Sequence, residues 1–187
     1  MKPGLRTFLV SGALVLTGYG GFGYSLMPSF SPTRRVWLDQ GGIYAVANLR
    51  GGGEFGEEWH KAGMLTRKQN VFDDFLACAQ HLIAAGYTRP ERLAIEGGSN
   101  GGLLVGAALT QRPELFRAAV AYVGLYDMLR FERYPNGAFN VTEYGSIADR
   151  AQFQALYAYS PYHRVRDGAA YPAVLLLSGE NDPRVNP

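Results

Sequence analysis

Ile95-Glu96-Gly97-Gly98-Ser99-Asn100-Gly101-Gly102 is the most informative segment of this sequence. A short apolar run at residues 93–95 is typical of a strand, and residues 103–109 have the composition of a buried helix. A G-x-S-x-G motif between a strand and a helix predicts a nucleophile elbow, a strained turn that presents the serine hydroxyl beyond the end of the sheet. Glycine is expected on both sides of the serine because so tight a turn leaves no room for a Cβ atom. A glycine-rich turn that holds a phosphate, or no ligand, is the alternative interpretation.

The composition of the chain limits the number of domains and the kinds of partner and cofactor that can be expected. In 187 residues, 47% of them hydrophobic, there is material for one domain with a sizeable core. A net charge of +2 without basic runs argues against nucleic acid as a partner. The single cysteine, Cys78, excludes an internal disulfide, and the scattered histidines predict no metal site. No G-x-x-x-x-G-K-S/T phosphate loop occurs, so no cofactor is expected.

Apolar periodicity divides the chain into alternating strands and helices. The predicted strands are residues 14–17, 43–49, 92–95, 118–123 and 173–177. Four helices are predicted. The first begins at Ser31-Pro32, the second runs from an Asn70 cap to Gly86, and the others cover residues 103–109 and 151–157. Residues 125–146 are expected to be irregular. This alternation predicts an α/β fold with a mostly parallel sheet and helices on both faces.

Four further motifs stand in a fixed order around the elbow. They are Gly18-Tyr19-Gly20-Gly21-Phe22, Arg50-Gly51-Gly52-Gly53-Glu54-Phe55-Gly56, Trp59-His60-Lys61 and Asp182-Pro183-Arg184-Val185. Together with the elbow they resemble the catalytic domain of the prolyl oligopeptidase family of serine peptidases. The resemblance covers about residues 14–187 of a single domain, 1–187, and leaves residues 1–13 unassigned. It implies an α/β-hydrolase fold, cleavage of short peptides, and a β-propeller domain that accompanies the catalytic domain in the family.

Two members of a catalytic triad can be placed. In α/β-hydrolases the triad follows the order serine, acid, histidine, and Ser99 is the expected nucleophile. Asp182 follows the strand predicted at residues 173–177, and the resemblance implies that it orients the histidine. A purely turn-forming aspartate in Asn-Asp-Pro is the alternative.

The histidine of the triad is missing from its expected place, because none follows Asp182. His60 and His81 do not stand where the family keeps its base, and His163 lies between serine and acid in a turn where a structural role is expected. The chain is therefore expected to be a fragment, incomplete at the C-terminus. Without a base the serine is a weak nucleophile, so the chain as written is expected to be close to inactive.

The oxyanion site is expected to have two donors. The backbone N–H after the nucleophile, that of Asn100, is the donor that the elbow motif predicts. The family resemblance implies that the second donor is the hydroxyl of Tyr19, in the Gly-Tyr-Gly-Gly-Phe loop. An ordinary loop aromatic is the alternative for this tyrosine.

The substrate pocket is where the sequence departs from the family. The resemblance places Phe22 and Tyr144 on two aromatic walls of the proline pocket and puts Leu125 where the family has valine. The family's tryptophan position falls on Asn140, which removes a flat stacking face, although the neighbouring Phe139 could substitute after a one-residue shift. The resemblance also implies that Arg184 binds a substrate carbonyl and that Val185 is its neighbour in the pocket.

Three other functions compete with post-proline cleavage. Glu143 beside Tyr144 keeps open an oligopeptidase B-like preference for basic residues, since that branch uses acids in this region. An esterase or lipase could share the fold, but the His-Gly-Gly-Gly loop of those enzymes is not present. A non-catalytic, peptide-binding remnant would account for the missing histidine.

The N-terminus leaves two locations open. Lys2 and Arg6 followed by the apolar residues 8–16 imitate a signal peptide, but no small-x-small cleavage site follows them. A cytoplasmic protein is therefore expected, with export as the alternative if residues 1–17 act as a signal. The apolar run is too short to span a bilayer, so no membrane partner is expected.

Overall fold

The computed structural model describes residues 12–182 and 184–185, and its centre is a parallel sheet of five strands in the order β2-β1-β3-β4-β5. The expectations for residues 1–11 lie outside the described residues. All five predicted strands are present, and the one before the serine extends through two glycines. The strands are β1 Leu14–Gly18, β2 Ile43–Ala47, β3 Leu93–Gly98, β4 Ala118–Tyr122 and β5 Ala173–Leu177.

Seven α-helices connect and flank these strands in the described part of the chain. They are α1 Pro32–Asp39, α2 Glu57–Lys61, α3 Gln69–Ala84, α4 Asn100–Gln111, α5 Gly137–Tyr144, α6 Arg150–Tyr159 and α7 Pro161–Arg164. Short 3-10 turns lie at Leu65–Arg67, Pro90–Arg92, Pro113–Leu115 and Phe131–Arg133. None of the described helices is long and apolar enough to cross a membrane.

The two faces of the sheet carry different helices. Leu14 and Leu16 of β1 are buried on the face that packs against α3 and α4, whose residues join them in one apolar cluster. On the opposite face Tyr44 donates a 2.7 Å hydrogen bond to Glu96, and Arg34 of α1 lies over the Tyr44 ring. Helices therefore cover both faces of a parallel sheet, the architecture of an α/β-hydrolase.

Helix α3 begins two residues earlier than the predicted Asn70 cap implies. Its first residue is Gln69, so Asn70 lies inside the first turn instead of capping it. The Asn70 amide donates a 2.8 Å hydrogen bond to the carbonyl of Ala62, at the end of α2. A residue type that favours caps is used here to connect two helices, which local sequence does not reveal.

The prediction of irregular structure for residues 125–146 is wrong in part, because Gly137–Tyr144 forms helix α5. Aromatic and β-branched residues have low helix propensity, and they hide this helix in the sequence. Its formation follows from packing: Tyr144 is 1% exposed, and its ring makes edge contacts with Phe22 and Phe131. The helix places Asn140 and Tyr144 one turn apart on the same face.

Strand β5 is apolar and exposed. It pairs with β4 on one side, and within the described residues no strand pairs with its other side. Its leucines Leu175 and Leu176 are 52% and 59% exposed. An apolar edge strand of this kind is a site where other chains can pair, so the 187 residues alone are expected to be prone to aggregation.

Candidate active site

Ser99 occupies the turn between β3 and α4 in a conformation that non-glycine residues rarely adopt. Its φ and ψ are 57° and −119°. The turn is fixed on both sides, since the Ser99 N–H donates to the Tyr122 carbonyl at 2.9 Å and its carbonyl accepts from the Gly102 N–H at 2.9 Å. Such strain is characteristic of functional sites, and this geometry is that of a nucleophile elbow.

The glycines around Ser99 are required by close backbone contacts. A Cβ atom on Gly97 would lie 2.3 Å from the carbonyl oxygen of Gly101. On Gly101 it would lie 2.9 Å from the Gly18 carbonyl oxygen, and on Gly102 it would lie 2.6 Å from the Cα of Gly124. Two strands, a helix and a loop therefore meet at distances that only glycine permits, as the sequence predicted for Gly97 and Gly101.

Tyr19 is the group that the structure brings to Ser99. It follows β1, the strand next to β3, and its side chain lines the same cleft as Ser99 and interacts with it. Burial raises the pKa of the Tyr19 hydroxyl above its usual value near 10, and the interaction with Ser99 opposes that shift only in part. The hydroxyl is therefore protonated at neutral pH and can donate to an oxyanion.

Asn100 fixes this region through its side chain as well as its backbone. The side chain is 1% exposed, and its amide nitrogen donates to the carbonyl of Tyr19. Its amide oxygen accepts a 2.9 Å hydrogen bond from the Tyr144 hydroxyl. This role was not predicted from the sequence, which pointed only to the backbone N–H of Asn100.

Ser99 opens into a cleft of about 430 Å³, a size typical of small-ligand sites. The cleft brings together eight of the ten residues singled out in the sequence. These are Tyr19, Phe22, Ser99, Leu125, Asn140, Tyr144, Arg184 and Val185. The lining also includes Phe139, which the sequence analysis named as a possible substitute ring, and Asn136, which it did not. Most of the lining is aromatic or aliphatic, with a cation at one edge.

Helix α5 places both Phe139 and Asn140 on the cleft without any shift in register. Asn140 lines the cleft one turn from Tyr144. Phe139 also borders the cleft but is 77% exposed, which places it at the rim. The cleft therefore has an exposed aromatic ring at its rim and a half-buried amide in its lining.

Asp182 lies beyond the carboxyl end of β5, on the same edge of the sheet as Ser99 at the end of β3. One strand separates β3 from β5, which corresponds to about 10 Å between the two chain positions. The Asp182 carboxylate accepts from the N–H groups of Arg184 at 2.8 Å and Val185 at 3.0 Å. These two bonds hold the pKa of the carboxyl below its usual value, so it is ionised at neutral pH.

The histidines of the sequence are occupied elsewhere. Among the described residues that line the Ser99 cleft there is no histidine. His60 contacts Glu143, and His81 lines a separate groove beside Cys78. His163 makes a 2.9 Å hydrogen bond with Ser160 and does not line the cleft.

Glu143 is neither a solvated loop residue nor part of the cleft lining. Its side chain is 2% exposed, and the Lys68 ammonium donates to it at 2.8 Å. His60 contacts the other carboxylate oxygen at 2.8 Å. The carboxylate that suggested a preference for basic residues is thus already paired within the protein. Lys68 is far away in the chain, and no sequence signal could have found the pair.

No cluster of three or more histidine, cysteine, aspartate or glutamate side chains within residues 12–182 and 184–185 is arranged to bind a metal ion. The described cleft offers a serine hydroxyl, polar side chains, and aromatic and aliphatic surface.

Comparison with known proteins gives consistent results. The sequence matches the model of the prolyl oligopeptidase family over residues 28–187. It is 47% identical over 174 residues to the prolyl endopeptidase of Elizabethkingia meningoseptica, which covers 92% of this chain and 25% of that protein. The prolyl endopeptidase of Dictyostelium discoideum is also 47% identical over 174 residues, with 92% of this chain and 23% of the relative covered.

Solved structures agree with this match. Prolyl oligopeptidase B from Galerina marginata, bound to a 35mer hydrolysis and macrocyclization substrate, superposes with a TM-score of 0.94 at 42% identity, covering 98% of this chain and 26% of that one. A post-proline cleaving enzyme from Rickettsia typhi superposes with a TM-score of 0.86 at 42% identity, covering 89% of this chain and 24% of that one. The chain spans about a quarter of the length of these relatives. With a family match over most of its length and the α/β-hydrolase sheet, the chain belongs to the prolyl oligopeptidase family, peptidase family S9.

Proposed function

We propose that this chain is the nucleophile-bearing part of a serine peptidase domain that hydrolyses short peptides through an acyl-enzyme. The observation that carries the proposal is the strained Ser99, whose side chain lies with that of Tyr19 in a cleft of mixed polar and apolar lining. Ser99 would attack the scissile carbonyl, and the Tyr19 hydroxyl and the Asn100 N–H would stabilise the oxyanion. Donors placed at an oxyanion are worth about 3–4 kcal/mol each.

The base in this mechanism is a histidine that Asp182 orients. None of the three histidines of the 187 residues is placed for this task, so we assign it to a part of the protein outside them. The 187 residues alone are then close to inactive. The β-propeller expected from the family would be a further domain, and the cytoplasm is the location proposed for the whole protein.

The substrate proposed is a peptide with proline before the scissile bond. Phe22 and Tyr144 offer aromatic walls, Leu125 adds aliphatic surface, and Arg184 borders the cleft where it can bind a substrate carbonyl. The names of the relatives, prolyl endopeptidases and a post-proline cleaving enzyme, support this preference. Cleavage after basic residues is less favoured, because Glu143, the carboxylate that would pair with a basic substrate side chain, is already paired with Lys68.

The test compares matched fluorogenic peptides that differ only before the scissile bond, cleaved by the protein made from the complete reading frame. We expect kcat/KM for proline to exceed that for alanine by about 10- to 200-fold, the range that an apolar pocket supplies. A preference for arginine would establish the oligopeptidase B-like alternative. Hydrolysis of simple esters without any peptide cleavage would favour an esterase.

Asn140→Trp is expected to improve cleavage after proline. Restoring a ring next to Tyr144 adds an aromatic contact worth about 0.5–1.5 kcal/mol, which corresponds to a gain in kcat/KM of about 2- to 12-fold for the proline peptide. The alanine peptide should gain less. Asn140→Leu serves as the matched control, because it adds apolar area without a stacking face. Equal gains from tryptophan and leucine would contradict the stacking argument.

A further inference from the structure

Lys68 is a fully buried lysine next to the cleft. Its side chain is 0% exposed, and its ammonium donates to the Gly20 carbonyl at 3.0 Å and to the Glu143 carboxylate at 2.8 Å. The ammonium also lies 5.2 Å from the centre of the Tyr144 ring. Burial lowers the pKa of Lys68, and the charge of Glu143 opposes this shift.

The position of this lysine is costly for folding. Lys68 precedes the first residue of α3, where the helix dipole disfavours a positive charge. A buried ion pair contributes little net stability, since desolvation offsets much of the attraction. Stability alone therefore gives no reason for an ammonium at this position, so its role must come from the group that it binds.

That group is the backbone that carries Tyr19. The Lys68 ammonium binds the Gly20 carbonyl, and the Asn100 amide binds the carbonyl of Tyr19 itself. Two consecutive carbonyls are thus held by buried side chains. Gly20 has φ +64°, and a Cβ atom there would lie 2.3 Å from the Val71 side chain, so the backbone has little space to shift.

The contacts form a closed circuit. Glu143, which pairs with Lys68, is followed in α5 by Tyr144, whose hydroxyl donates to Asn100. His60 contacts the second oxygen of Glu143, and because that carboxylate faces an ammonium it accepts, so the His60 Nε2 atom donates. Both oxygens of Glu143 are satisfied, and the circuit links the Tyr19 loop with three helices.

We infer that Lys68 and Glu143 are positioning residues for the oxyanion site: their ion pair fixes the Gly20 carbonyl and thereby holds the Tyr19 hydroxyl beside Ser99 in the cleft. This inference rests on the proposed function. Neither residue is required to touch the substrate, and their effect on catalysis passes through Tyr19.

The test is a double-mutant cycle in the protein made from the complete reading frame. The pair is replaced by Lys68→Met with Glu143→Leu, because exchanging both partners for apolar groups leaves no unpaired buried charge. We expect kcat to fall about 10- to 100-fold, below the 10²- to 10³-fold loss from removing an oxyanion donor outright, with KM changing less than about threefold. In a Tyr19→Phe background the same replacement should lower kcat less than about threefold.

Equal losses in both backgrounds, or no loss in either, would overturn the inference, as would a Tyr19→Phe variant that retains full kcat. Lys61→Met is the matched control, because Lys61 is an exposed lysine paired with Glu57 on α2. Glu143→Gln is the second variant if the apolar pair does not fold. It keeps the shape and an acceptor for Lys68, and we expect a smaller loss with the same dependence on Tyr19.

Two readouts separate this inference from the proposed function. Turnover is followed on a proline peptide and on p-nitrophenyl acetate, so that a protein cleaving only the ester refutes the peptidase and still reports on Lys68. Amide exchange at Gly23 and Tyr24, which donate to the carbonyls of Gly51 and Gly21, needs no turnover. It should be about tenfold faster without the ion pair, and unchanged exchange would contradict the positioning role.

Discussion

Ser99→Ala is expected to lower kcat for peptide cleavage by about 10⁶-fold in the protein made from the complete reading frame, the loss typical of removing a triad serine. The mutation removes the hydroxyl that we propose forms the acyl-enzyme, while the glycines that permit the tight turn stay in place. The measurement is turnover together with mass-spectrometric detection of a fluorophosphonate adduct, which should be absent from the variant. Ser178→Ala, an exposed serine directly after β5, is the control and should react like the wild type.

The same reagent tests the assignment of the base. The 187 residues alone should label slowly, because no histidine lines the described cleft. Fast labelling of this chain at Ser99 would mean that a base lies within it, and His163 would be the first candidate. Labelling of the complete protein at a different serine would contradict the assignment of Ser99 as nucleophile.

The elbow could be predicted because its signal is local. Gly97, Ser99 and Gly101 are separated by single residues, and a Cβ atom at either glycine would collide with backbone in the same turn or in the adjacent strand. Strands were predictable for the same reason: short apolar runs between glycines and polar turns have few other solutions in a parallel sheet. In both cases the physical constraint acts between residues that are close in the chain, so it can be recognised in the sequence.

The supports of the site could not be predicted, because they join distant parts of the chain. Lys68 and Glu143 are 75 residues apart, and nothing in the surroundings of either residue indicates the other. Helix α5 was missed because its propensity is poor and its formation depends on the burial of Tyr144. The cleft residues on α5, such as Asn140, were found through family resemblance alone, and the helix supplies the reason that they share a face.

Asp182→Asn is expected to lower kcat by about 10⁴-fold, the loss typical when a triad aspartate no longer orients its histidine. Asparagine keeps the oxygen that accepts from the N–H groups of Arg184 and Val185, so the turn after β5 is preserved and only the charge is removed. Because those bonds hold the pKa of the Asp182 carboxyl below its usual value, the wild-type group is ionised throughout the neutral range. The measurement is kcat for the proline peptide at pH 6, 7 and 8.

Glu180→Gln is the matched control for this change, since it removes an exposed carboxylate two residues earlier in the same turn. Its kcat should stay within about twofold of the wild type, as for most surface substitutions. A loss of less than about tenfold for Asp182→Asn would mean that the carboxylate only closes the turn. The acid of the triad would then be a different residue at the carboxyl edge of the sheet, where the loops that follow the parallel strands lie near Ser99.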